Sequence, residues 1–178
     1  MKNQKTLAEM KAGQVFDVAE MKFVKCFDKD GITAVFAKDC LFESRFGDNN
    51  NFAESKIMKK LESEYLPKIE KAIGAENVAL FETDLRSLDG SRKYSVLKSK
   101  ISLPTLEYYR DHVEIFDMHK TGRWFWLATP WSTSDHLNDY WILCVSPRGV
   151  INYYNYYRMI GVRPFLFFVS SISVSCED

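Results

Sequence analysis

Apolar positions change their period along the chain. Over 14–17, 21–27 and 32–37 they fall in short β-branched and aromatic runs. Asp30-Gly31 between the last two supplies the positive φ that a tight hairpin needs, so the opening predicts a short β meander. From 53 to 73 the spacing lengthens, with Ile57, Leu61, Tyr65, Leu66, Ile69 and Ile73 recurring at three and four, the signature of one helical face. Gly74 is a natural stop, and Pro67 should kink or split the helix because it lacks a backbone donor and crowds the preceding turn. The Asn-rich run 48–51 offers caps at its start. Next come a short apolar strand at 78–81 and a polar, turn-rich loop at 84–94. Ser102, Pro104, Thr105 and Glu107 mark a second helix running to about Arg110, with a charged connecting loop at 111–122. The segments 124–128, 141–146, 150–154 and 162–174 then read as strands, with the tightest turn at Pro147, Arg148 and Gly149. This order predicts an α+β fold rather than βαβ repeats.

At 178 residues the chain suits one domain spanning 1–178, with 1–13 as a disordered tail or short helix. Its 46% hydrophobic and 27% charged residues are those of a globular protein with a real core. Lys plus Arg and Asp plus Glu both number 24, so no net field draws it to nucleic acid or an anionic membrane, and neither is expected as a partner. No run approaches the roughly 18 apolar residues of a membrane span, and the start lacks the apolar core of a secretory signal. A cytoplasmic location without membrane insertion follows as the expectation. Cys26, Cys40, Cys144 and Cys176 lack metal-ligand spacing and read as buried thiols, the alternative being a Cys26–Cys40 or Cys144–Cys176 disulfide.

Charge is unevenly spread. Residues 124–178 hold only seven of the 48 charged side chains, but all four tryptophans and half of the 26 aromatic residues. The chemistry of catalysis is thin there and elsewhere. Neither GxxxxGK[ST] nor GxGxxG occurs, and the three histidines have no converging partners at metal spacing, so neither cofactor nor metal is expected. Ser132, Asp135 and His136 share the letters of a hydrolytic triad, but no strained nucleophile elbow accompanies them, which favours a solvated loop.

The run Asn152-Tyr153-Tyr154-Asn155-Tyr156-Tyr157-Arg158 differs, because four tyrosines in five positions cannot all point inward. Exposed Tyr with Asn, Ser and Arg gives rigid contact area and adaptable hydrogen bonds, the chemistry of a recognition surface. The alternative is that alternate tyrosines pack on the core. Residues 131–140 have a similar mixture. The candidate ligand-binding residues are therefore Trp131, Ser132, Ser134, His136, Asn138 and Tyr140, with Asn152, Tyr153, Asn155, Tyr156 and Tyr157. Trp124, Trp126, Trp141 and Phe165 are expected as supporting core, and Arg163 as a donor to backbone carbonyls beneath that surface.

Three blocks carry a resemblance: Asp48-Asn49-Asn50-Asn51-Phe52-Ala53-Glu54-Ser55-Lys56-Ile57, Trp124-Phe125-Trp126-Leu127-Ala128-Thr129-Pro130, and Gly161-Val162-Arg163-Pro164-Phe165. In this order they resemble an uncharacterised bacterial and phage domain family, over roughly residues 14–176. That family looks related to the C-type-lectin-like fold, shared with the formylglycine-generating-enzyme superfamily and with variable receptor-binding proteins of diversity-generating retroelements. The resemblance implies a small, mostly antiparallel twisted sheet, two helices, and a long irregular, aromatic-rich C-terminal half (124–178) presenting the ligand face. It implies a non-catalytic module binding a protein or carbohydrate, either cytoplasmic or associated with a phage particle. The paired cysteines of the oxidase branch are missing. Of the calcium-lectin motifs only Asn138-Asp139 before Tyr140 and Trp141 is present, so neither activity is carried over. The alternatives are an enzyme, a hydrolase or oxidase using Cys144 or His136, and a structural subunit of a phage or mobile-element particle that buries the Tyr run in an oligomer.

Overall fold

Asp30 and Gly31 take φ of +51° and +79°, and the hairpin that they close lies inside the larger of the main sheets. The computed structural model describes residues 3–176, an α+β fold of mostly antiparallel sheets with few helices. Its early strands are β1 (Asn3–Thr6), β2 (Val15–Val18), β3 (Met21–Lys29), β4 (Ile32–Ala37), β5 (Phe42–Ser44), β6 (Phe81–Asp84) and β7 (Val96–Ser99). The later ones are β8 (Phe125–Pro130), β9 (Trp141–Val145), β10 (Ile151–Asn155), β11 (Ile160–Val162), β12 (Phe165–Val169) and β13 (Ser173–Cys176). A six-stranded sheet runs β1-β13-β2-β3-β4-β12, a five-stranded sheet β10-β9-β8-β11-β5, and β6-β7 form a separate ribbon.

Both main sheets are covered on both faces, which explains why β8 and β12 read as unbroken apolar runs rather than alternating ones. Along β8, Trp126 and Ala128 join the core that holds Phe16, Phe23 and Phe168, while Phe125 and Leu127 join a second core with Phe36 and Phe165. The helices divide in the same way. Ile57, Leu61 and Ile69 of α1 (Lys56–Lys60) and α2 (Leu66–Ile73), with the π-helical turn between them, pack in the first core. Leu106 and Tyr109 of α3 (Leu106–Asp111) and Phe116 of α4 (Val113–Met118) pack in the second. The π turn at Leu61–Tyr65, where the Leu66 N–H bonds the Leu61 carbonyl, sits just before Pro67. A wider turn there accommodates the missing donor, so the helix is interrupted without breaking.

Several expectations need correction. Residues 3–9 are the edge strand β1 and a 3-10 turn with Leu7 fully buried, not a tail; residues 1–2 lie outside the described residues. The strand expected at 78–81 begins at Phe81, because 75–77 form a 3-10 turn, and β7 emerges from a stretch that carried no strong apolar signal. The charged stretch 111–122 contains α4, whose inward face amounts to Ile115 and Phe116. The second helix is capped by Thr105, which accepts from the Tyr108 N–H at 3.2 Å, while Ser102 lies three residues earlier, bridged to Phe165. The C-terminal half is not long and irregular, since six strands occupy most of 125–176.

Candidate functional site

β10 forms a free edge of the five-stranded sheet, and its pairing with β9 decides where the Tyr run points. Tyr153 lies opposite Leu143 and Tyr154 opposite Ile142. Cross-strand partners share a face and successive residues alternate, so these two tyrosines sit on opposite faces of the sheet. The expected single surface is thus divided.

On the Leu143 face, Trp131 and Tyr153 meet with ring centroids 4.5 Å apart, and Trp141 stands edge-on to Tyr153 at 5.3 Å. Trp131 and Tyr153, with Leu88, Leu106, Leu143, Ile151, Asn152 and Arg110, line an open cavity of about 380 Å³. This size falls within the roughly 300–1,000 Å³ of small-molecule sites. Leu88, Ile151 and Tyr153 keep apolar surface exposed around it. On the opposite face Tyr154 packs edge-on against Trp124 at 4.9 Å, and Arg158 lies 4.9 Å over the Tyr154 ring. Tyr140 stacks on Tyr156 at 5.7 Å, and Asn155 donates to the Tyr157 hydroxyl at 2.8 Å. Tyr154 and Tyr156 are half-buried against the first core, whereas Tyr157 is exposed beside a second open cleft walled by Trp124, Tyr154 and Met159.

The loop 131–140 is held from below by Asn50. This side chain is fully buried, and its Nδ2 donates to the carbonyls of Ser132 at 2.9 Å and Trp141 at 3.0 Å. Its Oδ1 accepts from the Tyr94 hydroxyl at 2.6 Å. The Asn run therefore clamps the loop as well as capping: Asn51 caps the 3-10 turn at Ala53, and Ser55 caps α1. Asn138 lies inside the clamp with its Oδ1 buried and unpaired among the described residues. Ser134 opens an exposed 3-10 turn through His136, and Leu137 beyond it holds φ of +54° at the loop tip.

Ser132 and His136 do meet an acid, but it is Asp89 rather than Asp135, which instead pairs with Lys93 at 3.2 Å. The Ser132 hydroxyl donates to Asp89 Oδ2 at 2.6 Å, and His136 Nδ1 lies 2.8 Å from the same oxygen. Desolvation pushes the Asp89 carboxyl up. The hydroxyls of Ser132 and Ser87, the His136 ring and the Ser91 amide outweigh it and hold the group well below the usual carboxylate range. Ser132 and Asp89 both approach Nδ1, whereas a triad places serine and acid on opposite ring nitrogens, and the serine proton is directed at the carboxylate. The cluster staples the loop 85–91 to the loop 131–140. Cys144 faces the first core, fully buried, and desolvation pushes its thiol up to about 12, which suppresses the reactive thiolate. All four cysteines are free, and among the described residues no three His, Cys, Asp or Glu side chains gather as metal ligands.

Of the expected core residues, Trp126 and Phe165 are fully buried, whereas Trp124 and Trp141 are only half-buried, Trp124 walling the second cleft and Trp141 packing edge-on against Tyr153. Arg163 donates to the carbonyls of Ala37 at 2.7 Å and of Lys38 and His119 at 2.8 Å, with its guanidinium over the rings of Phe36, Phe116 and Phe125. Burial lowers its pKa to about 10, so it stays charged at neutral pH, and no carboxylate pairs with it among the described residues. Sequence reasoning missed Arg110, Leu88, Leu106, Asp89 and Asn50. Only the Asn run carried a local signal, and that signal read as capping. No described helix is long and apolar enough to cross a membrane. Compared with known protein families, with curated proteins and with solved structures, the chain matches none.

Proposed function

We propose that the protein is a non-catalytic recognition module, of the C-type-lectin-like type that its motif blocks resemble, with its ligand site in the cavity beside β10. The observation that carries this reading is the aromatic pair Trp131 and Tyr153, half-exposed over an apolar floor and set on a sheet edge braced by the buried Asn50 clamp. Rigid aromatic area on a fixed support loses little conformational entropy on binding, which suits recognition without chemistry. The test is chemical-shift mapping with a library of uncharged and charged fragments. Hits should cluster on Trp131, Leu143, Ile151 and Tyr153; hits confined to the Trp124 and Tyr157 cleft, or none at all, would sink the proposal.

A hydrolytic enzyme is the second reading, favoured by the meeting of Ser132, His136 and Asp89. It requires the His136 ring to turn so that the serine reaches the nitrogen opposite Asp89. Ester hydrolysis by the native protein that disappears in His136→Asn, with melting unchanged, would establish it over the first.

A further inference from the structure

We infer that the cavity beside β10 takes a small organic anion, a flat apolar body carrying a carboxylate; this rests on the recognition reading above and adds to it the class of ligand. The cavity's single charged lining group is Arg110, in the last turn of α3. Among the described residues it has neither an ion-pair partner nor a hydrogen-bond acceptor, although nine other Lys and Arg side chains have carboxylates within reach. A guanidinium offers only donors, in a planar fork matched to a carboxylate.

The second polar side chain of the lining points to the same sign. Asn152 Oδ1 accepts from the Tyr153 N–H at 2.8 Å, which identifies that oxygen and leaves the amide N–H groups as the side chain's uncommitted atoms. That bond also occupies an outward backbone donor of the free strand, so the edge is less open to an added strand and the side-chain cavity is the better receptor. No Asp or Glu lines the cavity, and its charged and amide groups are therefore donors.

The rest of the lining selects the ligand's body. Trp131, Tyr153, Leu106 and Leu143 present ring and methyl surface, which gains from covering a flat apolar group and gains nothing from a bare inorganic anion. An aromatic pair would also attract an organic cation through its ring faces, but Arg110 in the same cavity opposes that charge. The two selections together leave an aryl or comparably flat carboxylate.

Three probes of one shape separate these contributions: 2-naphthoate, neutral 2-naphthamide and the cation 2-naphthylmethylammonium. They are titrated against the full chain by tryptophan fluorescence and chemical-shift mapping, with circular dichroism confirming that each variant folds. The carboxylate should bind about tenfold tighter than the amide, the increment expected of one charge-assisted bond. Arg110→Gln should erase that preference, while Tyr153→Ala should weaken all three probes. The inference is overturned if the amide or the ammonium binds as well as the carboxylate, or if the preference survives Arg110→Gln. Neutral fragments that still map to Trp131 and Tyr153 would then leave the recognition reading standing. Absence of every probe and every fragment from the cavity would remove both.

Discussion

Two arginines of this chain occupy opposite environments. Arg163 is buried, gives its donors to three backbone carbonyls and lies over three aromatic rings. Arg110 is exposed at the mouth of a cavity and lacks a protein partner among the described residues. A buried charge must have its hydration replaced in full by the protein, so the surroundings of Arg163 are completed internally. A charge at a rim is hydrated by solvent and stays available to something else. The comparison separates scaffold from site more sharply than residue type does.

The contrast would break first at Arg163. Arg163→Met keeps side-chain bulk over the rings but leaves three carbonyls without their donor, and should cost on the order of 3 kcal/mol or more. For a chain of this size that lowers Tm by about 10 °C. A melting point within a degree or two of wild type would show that Arg163 is dispensable to the scaffold. Asn50→Ala comes next, with a loss of about 2 kcal/mol, because it frees buried polar groups of Ser132, Trp141 and Tyr94 together. Hydrogen exchange should accelerate across 131–141 and stay unchanged in β3 and β4; uniform acceleration would mean that Asn50 supports the whole core instead.

Smaller effects sharpen the division of β10. Tyr154→Ala, which uncovers Trp124 and the first core, should cost about 1–2 kcal/mol in urea denaturation. Tyr153→Ala should cost less and remove cavity binding. Equal losses at the two positions would contradict the assignment of opposite roles to the two faces.

The smallest effect concerns pH. Asp89 has a folded-state pKa below its unfolded value, so its stabilising contribution is fully present above the unfolded value of about 3.9 and is lost as pH falls through the folded one. The stability difference between wild type and Asp89→Asn should be flat from neutral pH to about pH 5 and shrink below about pH 4. Solvent screening keeps it small, since the carboxylate is 39% exposed. A difference that widens on acidification would reverse the sign of the linkage.

Much of the fold is legible because it is local. Asp30-Gly31 specifies its hairpin through backbone sterics, the spacing from Ile57 to Ile73 specifies a helical stripe, and the runs of β8 and β12 announce strands before their partners are known. α4 was hidden because only Ile115 and Phe116 carry its inward face, too few to show a period. Trp131 and Tyr153 could be nominated from side-chain chemistry. Their separation from Tyr154 and Tyr156 could not, because a strand's facing is set by register against its neighbour, and a slip of one residue exchanges the two faces. Arg110 and Leu88 joined the site, and Asp89 the staple beside it, through chain crossings that no neighbouring residue encodes. Short-range sterics and hydrophobic period write the elements into the chain, whereas the burial of both sheet faces decides which side chains are consumed by the core and which remain for a ligand.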